Sequence, residues 1–224
     1  MSAGPAPPPD LLAAVQRDLA PVAPRRLGRG LMLWTPLAIL ACAGLPVVVG
    51  IRADAAVLGR WWTWGASAVQ LAAALWFVWA GARESRPGRR LPVTALAAAL
   101  IGAALLVLAL TAATFRVSPT VLGDALLPWR AGSFCFKGSV AVGAPLLIVA
   151  AGWLGRALPG APWLAGALFG GGAGLAADAT WRLLCPVSDP WHVLASHGGA
   201  VLTTAVLGAV LAEVVARWRV ARRG

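Results

Sequence analysis

The chain has little of what a water-soluble protein needs. It has no tyrosine, three cysteines, two histidines and eight carboxylates in 224 residues. Charged residues make up 12% and hydrophobic residues 59%, whereas an ordinary soluble domain carries roughly 25% charged residues. Too few polar side chains exist to cover a soluble core, so the sequence reads as an integral membrane protein. A mean hydropathy of +0.78 agrees. Recognisable chemistry is also scarce. There is no serine–histidine–carboxylate spacing, no phosphate loop, no pair of carboxylates inside an apolar span, no CxxC and no HExxH. These absences argue against an enzyme and against an ion-coupled transporter. The acidic residues are outnumbered by nineteen lysines and arginines, giving a net charge of +11. The basic residues stand in short runs beside apolar spans, which suits anionic lipid and topology better than direct nucleic-acid contact. The first thirty residues, beginning Met-Ser-Ala-Gly-Pro-Ala-Pro-Pro-Pro, lack the charged start and apolar stretch of a signal peptide, so the first span is expected to be retained.

What is present is apolar length. Six segments approach the roughly 20 residues that cross a bilayer: 31–51, 57–82, 92–115, 136–157, 161–183 and 190–216. The expected fold is all-α, a polytopic membrane protein with six transmembrane helices in one bundle. It divides into a cytoplasmic tail with a short amphipathic helix (1–30), the membrane domain (31–217) and a basic cytoplasmic end (218–224). The fifth span contains Gly170-Gly171-Gly172-Ala173-Gly174. Such a run suits close helix packing in lipid, and a glycine loop there would leave backbone groups unsatisfied in hydrocarbon. Trp61, Trp62, Trp64, Trp153, Trp163, Trp181, Trp191 and Trp218 fall mostly near span ends, where indole rings prefer to sit. With the N-terminus inside, thirteen of the nineteen basic residues fall on the cytoplasmic side and six outside. The positive-inside rule therefore puts both termini in the cytoplasm.

The tail carries its own pattern. Asp10 follows three prolines and can cap a helix; Leu11, Leu12, Val15 and Leu19 then recur at helical spacing, and Pro21 and Pro24 end it. Two to three turns are marginal alone in water. The stripe gains order by docking into a partner's groove or by lying on the membrane, and the residues leave both readings open.

The run from Cys185 to His197 holds one of three cysteines and both histidines, His192 and His197. Cys42 lies amid alanine and leucine in the first span and reads as a small buried hydrophobe. Cys135 precedes the fourth span and Cys185 follows the fifth, so parity puts them on one side of the membrane. With the orientation above that side is the periplasm or exterior, where disulfides persist. Three readings compete. One is a structural bridge closing a loop of about fifty residues, which loop entropy makes worth a few kcal/mol. Another is a redox or thiol-reactive switch. The third is a metal site of Cys135, Cys185, His192 and His197, a donor set that suits copper, zinc or another thiophilic metal held transiently. In a regular α-helix the two histidines would stand about 140° apart, so they could share an ion only if the sixth span starts irregularly. Asp178 and Arg182, four apart, are expected to pair, as are Glu213 and Arg217.

The tail Leu-Ala-Pro-Val-x-Pro-Arg-Arg (Leu19 to Arg26), six spans, a cysteine before the fourth, and Cys185-Pro186 with His192 and His197 entering the sixth together resemble the NrsF (DUF1109) family. The resemblance covers nearly the whole chain. It implies an anti-sigma factor, not an enzyme, that negatively regulates an extracytoplasmic-function (ECF) sigma factor at the inner membrane, with no resident cofactor. It implies sigma contacts by the tail, here Leu11, Leu12, Val15, Leu19, Pro21 and Val22, with the loop 83–91. It also implies signalling through Cys135 and Cys185 in response to metal or oxidative stress. His192 and His197 match the family motif in position. The proline-rich start and the scarcity of polar loop residues depart from the family pattern. The rival expectation is a small metal-handling or transport protein, which would need a polar path. Its candidates Thr94, Gln70, Asp178 and Glu213 do not line up by depth in the sequence.

Overall fold

Long apolar runs fold as helices because a helix satisfies its own backbone hydrogen bonds. A computed structural model describes residues 10, 11, 13, 28–86, 90–118, 128–154 and 161–222. Among the described residues all regular structure is helical. Six long helices follow one another: α1 (Gly28–Val49), α2 (Ala55–Glu84), α3 (Val93–Val117), α4 (Pro128–Leu154), α5 (Pro162–Arg182) and α6 (Pro190–Ala221). They occupy the six expected segments. α4 begins before residue 136, so Cys135 lies inside the helix rather than ahead of it. Five of the helices, all but α5, are long and apolar enough to cross a membrane.

α5 is the centre of the bundle and packs against α1, α2, α4 and α6. Every residue from Leu168 to Thr180 is buried. A helix buried all round needs small residues on more than one side, and the glycine run supplies them as helix, not loop. A Cβ on Gly166 would meet the Gly208 carbonyl, and one on Gly170 the Thr204 carbonyl. Gly172, on another side, lies against Val78 and the Ala74 carbonyl. These close approaches let α2 and α6 reach the α5 backbone. α1 is pinned by Trp34, fully buried, whose indole N–H donates to the Leu146 carbonyl of α4 at 3.1 Å. α3 is the outlier: only 6% of its most apolar window is buried, and Leu100, Ile101 and Leu105 are exposed.

Two helices depart from the α ladder. α2 turns at Gly59 (φ +72°) and makes a π-turn over Trp61–Gly65; α6 makes one over Val193–Gly198. The end of α1 meets the loop after α5 through the Arg52 N–H, which donates to the Leu183 carbonyl at 2.9 Å. Since α6 starts just beyond that loop, one end of the bundle gathers the end of α1 and the starts of α2 and α6. The start of α1 lies 22 residues away, about 33 Å along a helix.

Candidate functional site

Asp189 and Pro190 set the start of α6. The Asp189 carboxylate accepts the His192 backbone N–H at 2.9 Å, and Pro190 occupies the first helical position. The ladder then widens, and the Gly199 N–H reaches the Leu194 carbonyl five residues back. In an i→i+5 turn residues five apart stack on one side. His192 and His197 therefore face each other, ring centroids 5.5 Å apart. The α-helical angle had separated them; the irregular start that a shared ion required is present. The widening exposes Leu194 and Ala195 on the outer side of the turn.

Cys135 and Cys185 converge on this pair. Cys185 is held just past α5 by its N–H to the Trp181 carbonyl at 2.8 Å. Its sulfur lies 3.6 Å from that of Cys135 and 3.5 Å from Nε2 of His192. Both cysteines are free thiols, since a disulfide needs about 2.05 Å. The four donor atoms of Cys135, Cys185, His192 and His197 all lie within 4.8 Å of one another, and all four residues are buried. Gly138 leaves room for Trp181: a Cβ there would strike the indole. The Cys135 sulfur and burial push the Cys185 thiol above its ordinary range.

Behind the cluster runs a buried polar chain. Nδ1 of His197 stands 2.7 Å from Oδ1 of Asp178. Gln70 donates its amide N–H to Oδ2 of Asp178, while its carbonyl accepts from Nε of Arg182 at 3.2 Å. The expected direct pair of Asp178 with Arg182 is thus corrected. Gln70 of α2 stands between them, and Asp178 turns instead to α6. Gln70 and Asp178 also meet in depth, contrary to the reading of the polar residues from sequence. Thr94 is exposed near the start of α3, and Glu213 binds Arg217 at 3.0 Å as expected. Nε2 of His197 is buried and has no hydrogen-bond partner among the described residues.

Arg52 closes the loop side. It is buried and donates to the Arg182 and Pro186 carbonyls at 3.3 and 3.1 Å, to Ser188 Oγ at 2.9 Å, and to Asp54 at 2.5 and 2.8 Å. Asp54 accepts a further bond from Ser118 at 2.7 Å. Burial opposes its ionisation, but the hydrogen bonds from Arg52 and Ser118 hold its carboxyl below the usual carboxylate range. Sequence reasoning missed Arg52, Asp54, Gln70 and Ser188 as parts of this end. The one available signal was Gln70, an amide alone in an apolar span. Cys42 is buried with Ala179 and Leu183, as a small hydrophobe should be. Of the tail residues, Leu11 is helical and exposed; Leu12, Val15, Leu19, Pro21 and Val22 lie outside the described residues.

Two thiols and two imidazoles at this spacing can oxidise to a disulfide or bind a thiophilic cation. No curated protein and no solved structure matches the chain. Residues 15–218 match the family NrsF, negative regulator of sigma F. With most of its length matched, the chain belongs to the NrsF family of negative regulators of a sigma factor.

Proposed function

We propose that the chain is a membrane-embedded anti-sigma factor. It holds an ECF sigma factor at the cytoplasmic face of a bacterial inner membrane and releases it when a metal or redox stress signal reaches Cys135 and Cys185 on the periplasmic face. The lipid bilayer is its other partner, and it touches no nucleic acid directly. A negative regulator acts by binding, so no catalytic group is required. The observation that carries the reading is the meeting of two free thiols, 50 residues apart in sequence, at 3.6 Å. They meet at the bundle end remote from the start of α1, where the tail joins. Six long helices, five of them apolar enough to cross on their own and α5 enclosed among them, and the excess of basic residues on one side support both termini in the cytoplasm.

Reversing sigma occupancy from 99:1 to 1:99 needs about 5.5 kcal/mol of differential interaction, which metal ligation or thiol oxidation can supply. Deleting residues 1–26 should switch a sigma-dependent reporter on without stress. A reporter that stays off would remove the tail, with Leu11, Leu12, Val15, Leu19, Pro21 and Val22, from the sigma contact. Replacing Cys135 and Cys185 together by serine should abolish the response to metal and oxidant. A normal response would leave the cysteines a packing role.

A further inference from the structure

The signalling reading leaves the ligand chemistry unassigned, and the cluster geometry narrows it. Around a tetrahedral zinc-type ion, bond lengths of about 2.3 Å to sulfur and about 2.05 Å to nitrogen place two sulfurs about 3.8 Å apart and sulfur and nitrogen about 3.6 Å apart. The Cys135–Cys185 sulfurs are 3.6 Å apart, and the Cys185 sulfur is 3.5 Å from Nε2 of His192. Two edges of the cluster thus already have the dimensions of a coordination tetrahedron. The fourth corner is an independent observation. His197 is 3% exposed, its Nδ1 is engaged by Asp178 at 2.7 Å, and its Nε2 is buried without a hydrogen-bond partner among the described residues. A neutral imidazole with Nδ1–H donated to a carboxylate has its remaining lone pair on Nε2, the arrangement by which carboxylates orient histidine ligands. Gln70, in turn, fixes the other oxygen of that carboxylate.

Charge selects the ion. Asp178 offsets Arg182, and Asp54 offsets Arg52, around the cluster. A divalent ion bound by two thiolates and two neutral imidazoles adds no net charge to this buried region. A monovalent ion with the same ligands leaves one negative charge, which burial penalises. We infer that Cys135, Cys185, His192 and His197 form a four-ligand site for a divalent thiophilic cation of the zinc type, with Asp178 as the residue that positions His197. On binding, two S–H bonds break, two sulfur–metal bonds form, two nitrogen lone pairs are donated, and two protons leave to solvent. The site deepens the signalling reading by naming its ligand, and rests on that reading only for its biological role.

The test uses the full-length protein, purified in detergent under reducing conditions, titrated with Co2+ as a spectroscopic probe and with Zn2+ in competition. One Co2+ per chain should bind with the intense visible bands of tetrahedral coordination and the near-ultraviolet charge-transfer band of two thiolates. Zn2+ should displace it, with two protons released per ion in weakly buffered solution. His192→Ala, which leaves the Asp178 contact intact, should shift the visible bands. Asp178→Asn should keep the bands but weaken binding by about 10- to 100-fold. Absence of the thiolate band, or a spectrum unchanged by both His192→Ala and His197→Gln, overturns the site. In the first case a sigma-dependent reporter that still answers to a thiol oxidant keeps the signalling reading alive. Conversely, tight tetrahedral binding with a reporter indifferent to the double serine variant sustains the site and sinks the signalling role.

Discussion

A carboxylate buried between helices persists only when its lone pairs are filled and its charge is answered. Asp178 has its lone pairs filled from two other helices, by His197 on α6 and Gln70 on α2, and its charge is answered by Arg182 on the far side of Gln70. Replacing Gln70 by leucine keeps the volume but strips one oxygen of Asp178 and the Nε of Arg182 of their partner. The loss should be about 1–3 kcal/mol for each stranded group, read as a lower Tm in detergent; an unchanged Tm would mean that the chain of bonds carries no stability. Asp54 gives a pH-dependent counterpart. Its folded pKa lies below the ordinary value of 3.8, so its bonds to Arg52 and Ser118 stabilise fully above that value. That contribution is lost as pH falls through the lowered one. Asp54→Asn should therefore be less stable than the parent at neutral pH, and the gap should close on acidification below about pH 4; a gap constant with pH would contradict the linkage. The four cluster residues were legible in the sequence because cysteine and histidine are so scarce. Their supports were not, because Gln70 and Arg52 are brought to the cluster by pairings more than 100 residues away.

At the scale of elements, the six helices could be read from apolar length alone, and the central place of α5 could not. Its glycines predicted close packing, but a burial pattern that runs round the whole helix has no periodicity to reveal which neighbours approach. Gly170→Val should drive α5 and α6 apart, because a Cβ there meets the Thr204 carbonyl. The readout is loss of folded protein on extraction, whereas Gly102→Val on α3, where a Cβ meets nothing within 4 Å, should be tolerated. The π-turn of α6 was equally hidden, since five residues between histidines read as two faces of an α-helix. A π-turn is an α-helix with one residue too many. Deleting exposed Ala195 should return the ladder to i→i+4 and leave the histidines four apart, still on one face. Inserting an alanine after Leu194 should split them. Reporter response to stress should survive the deletion and fail on the insertion; the opposite pattern would show that the pairing of the histidines does not matter.

At the scale of the whole molecule, the two ends of the bundle are chemically different. One gathers Cys135, Cys185, the histidines and the Arg52 bonds; the other holds the start of α1 and the basic end of α6. The partition of thirteen basic residues against six supports the proposal that the second end faces the cytoplasm, by the positive-inside rule. That assignment carries the signalling proposal, because a thiol pair facing the reducing cytoplasm would meet neither periplasmic oxidant nor entering metal. α5 is the span on which it turns, since its charges and glycines keep it outside the set of five helices apolar enough to cross alone. Its burial would allow a crossing all the same: a helix surrounded by α1, α2, α4 and α6 presents little surface to lipid. Fusions separate the alternatives. Alkaline phosphatase fused after Val187 should be active and after Ala221 inactive, while a fluorescent protein at the latter site should fluoresce. If instead both phosphatase fusions were active, α6 would not cross, and the cluster and the C-terminus would share one side. If both were inactive, Cys185 would face the cytoplasm, and a signal arriving from the periplasm at this thiol pair would be excluded by topology.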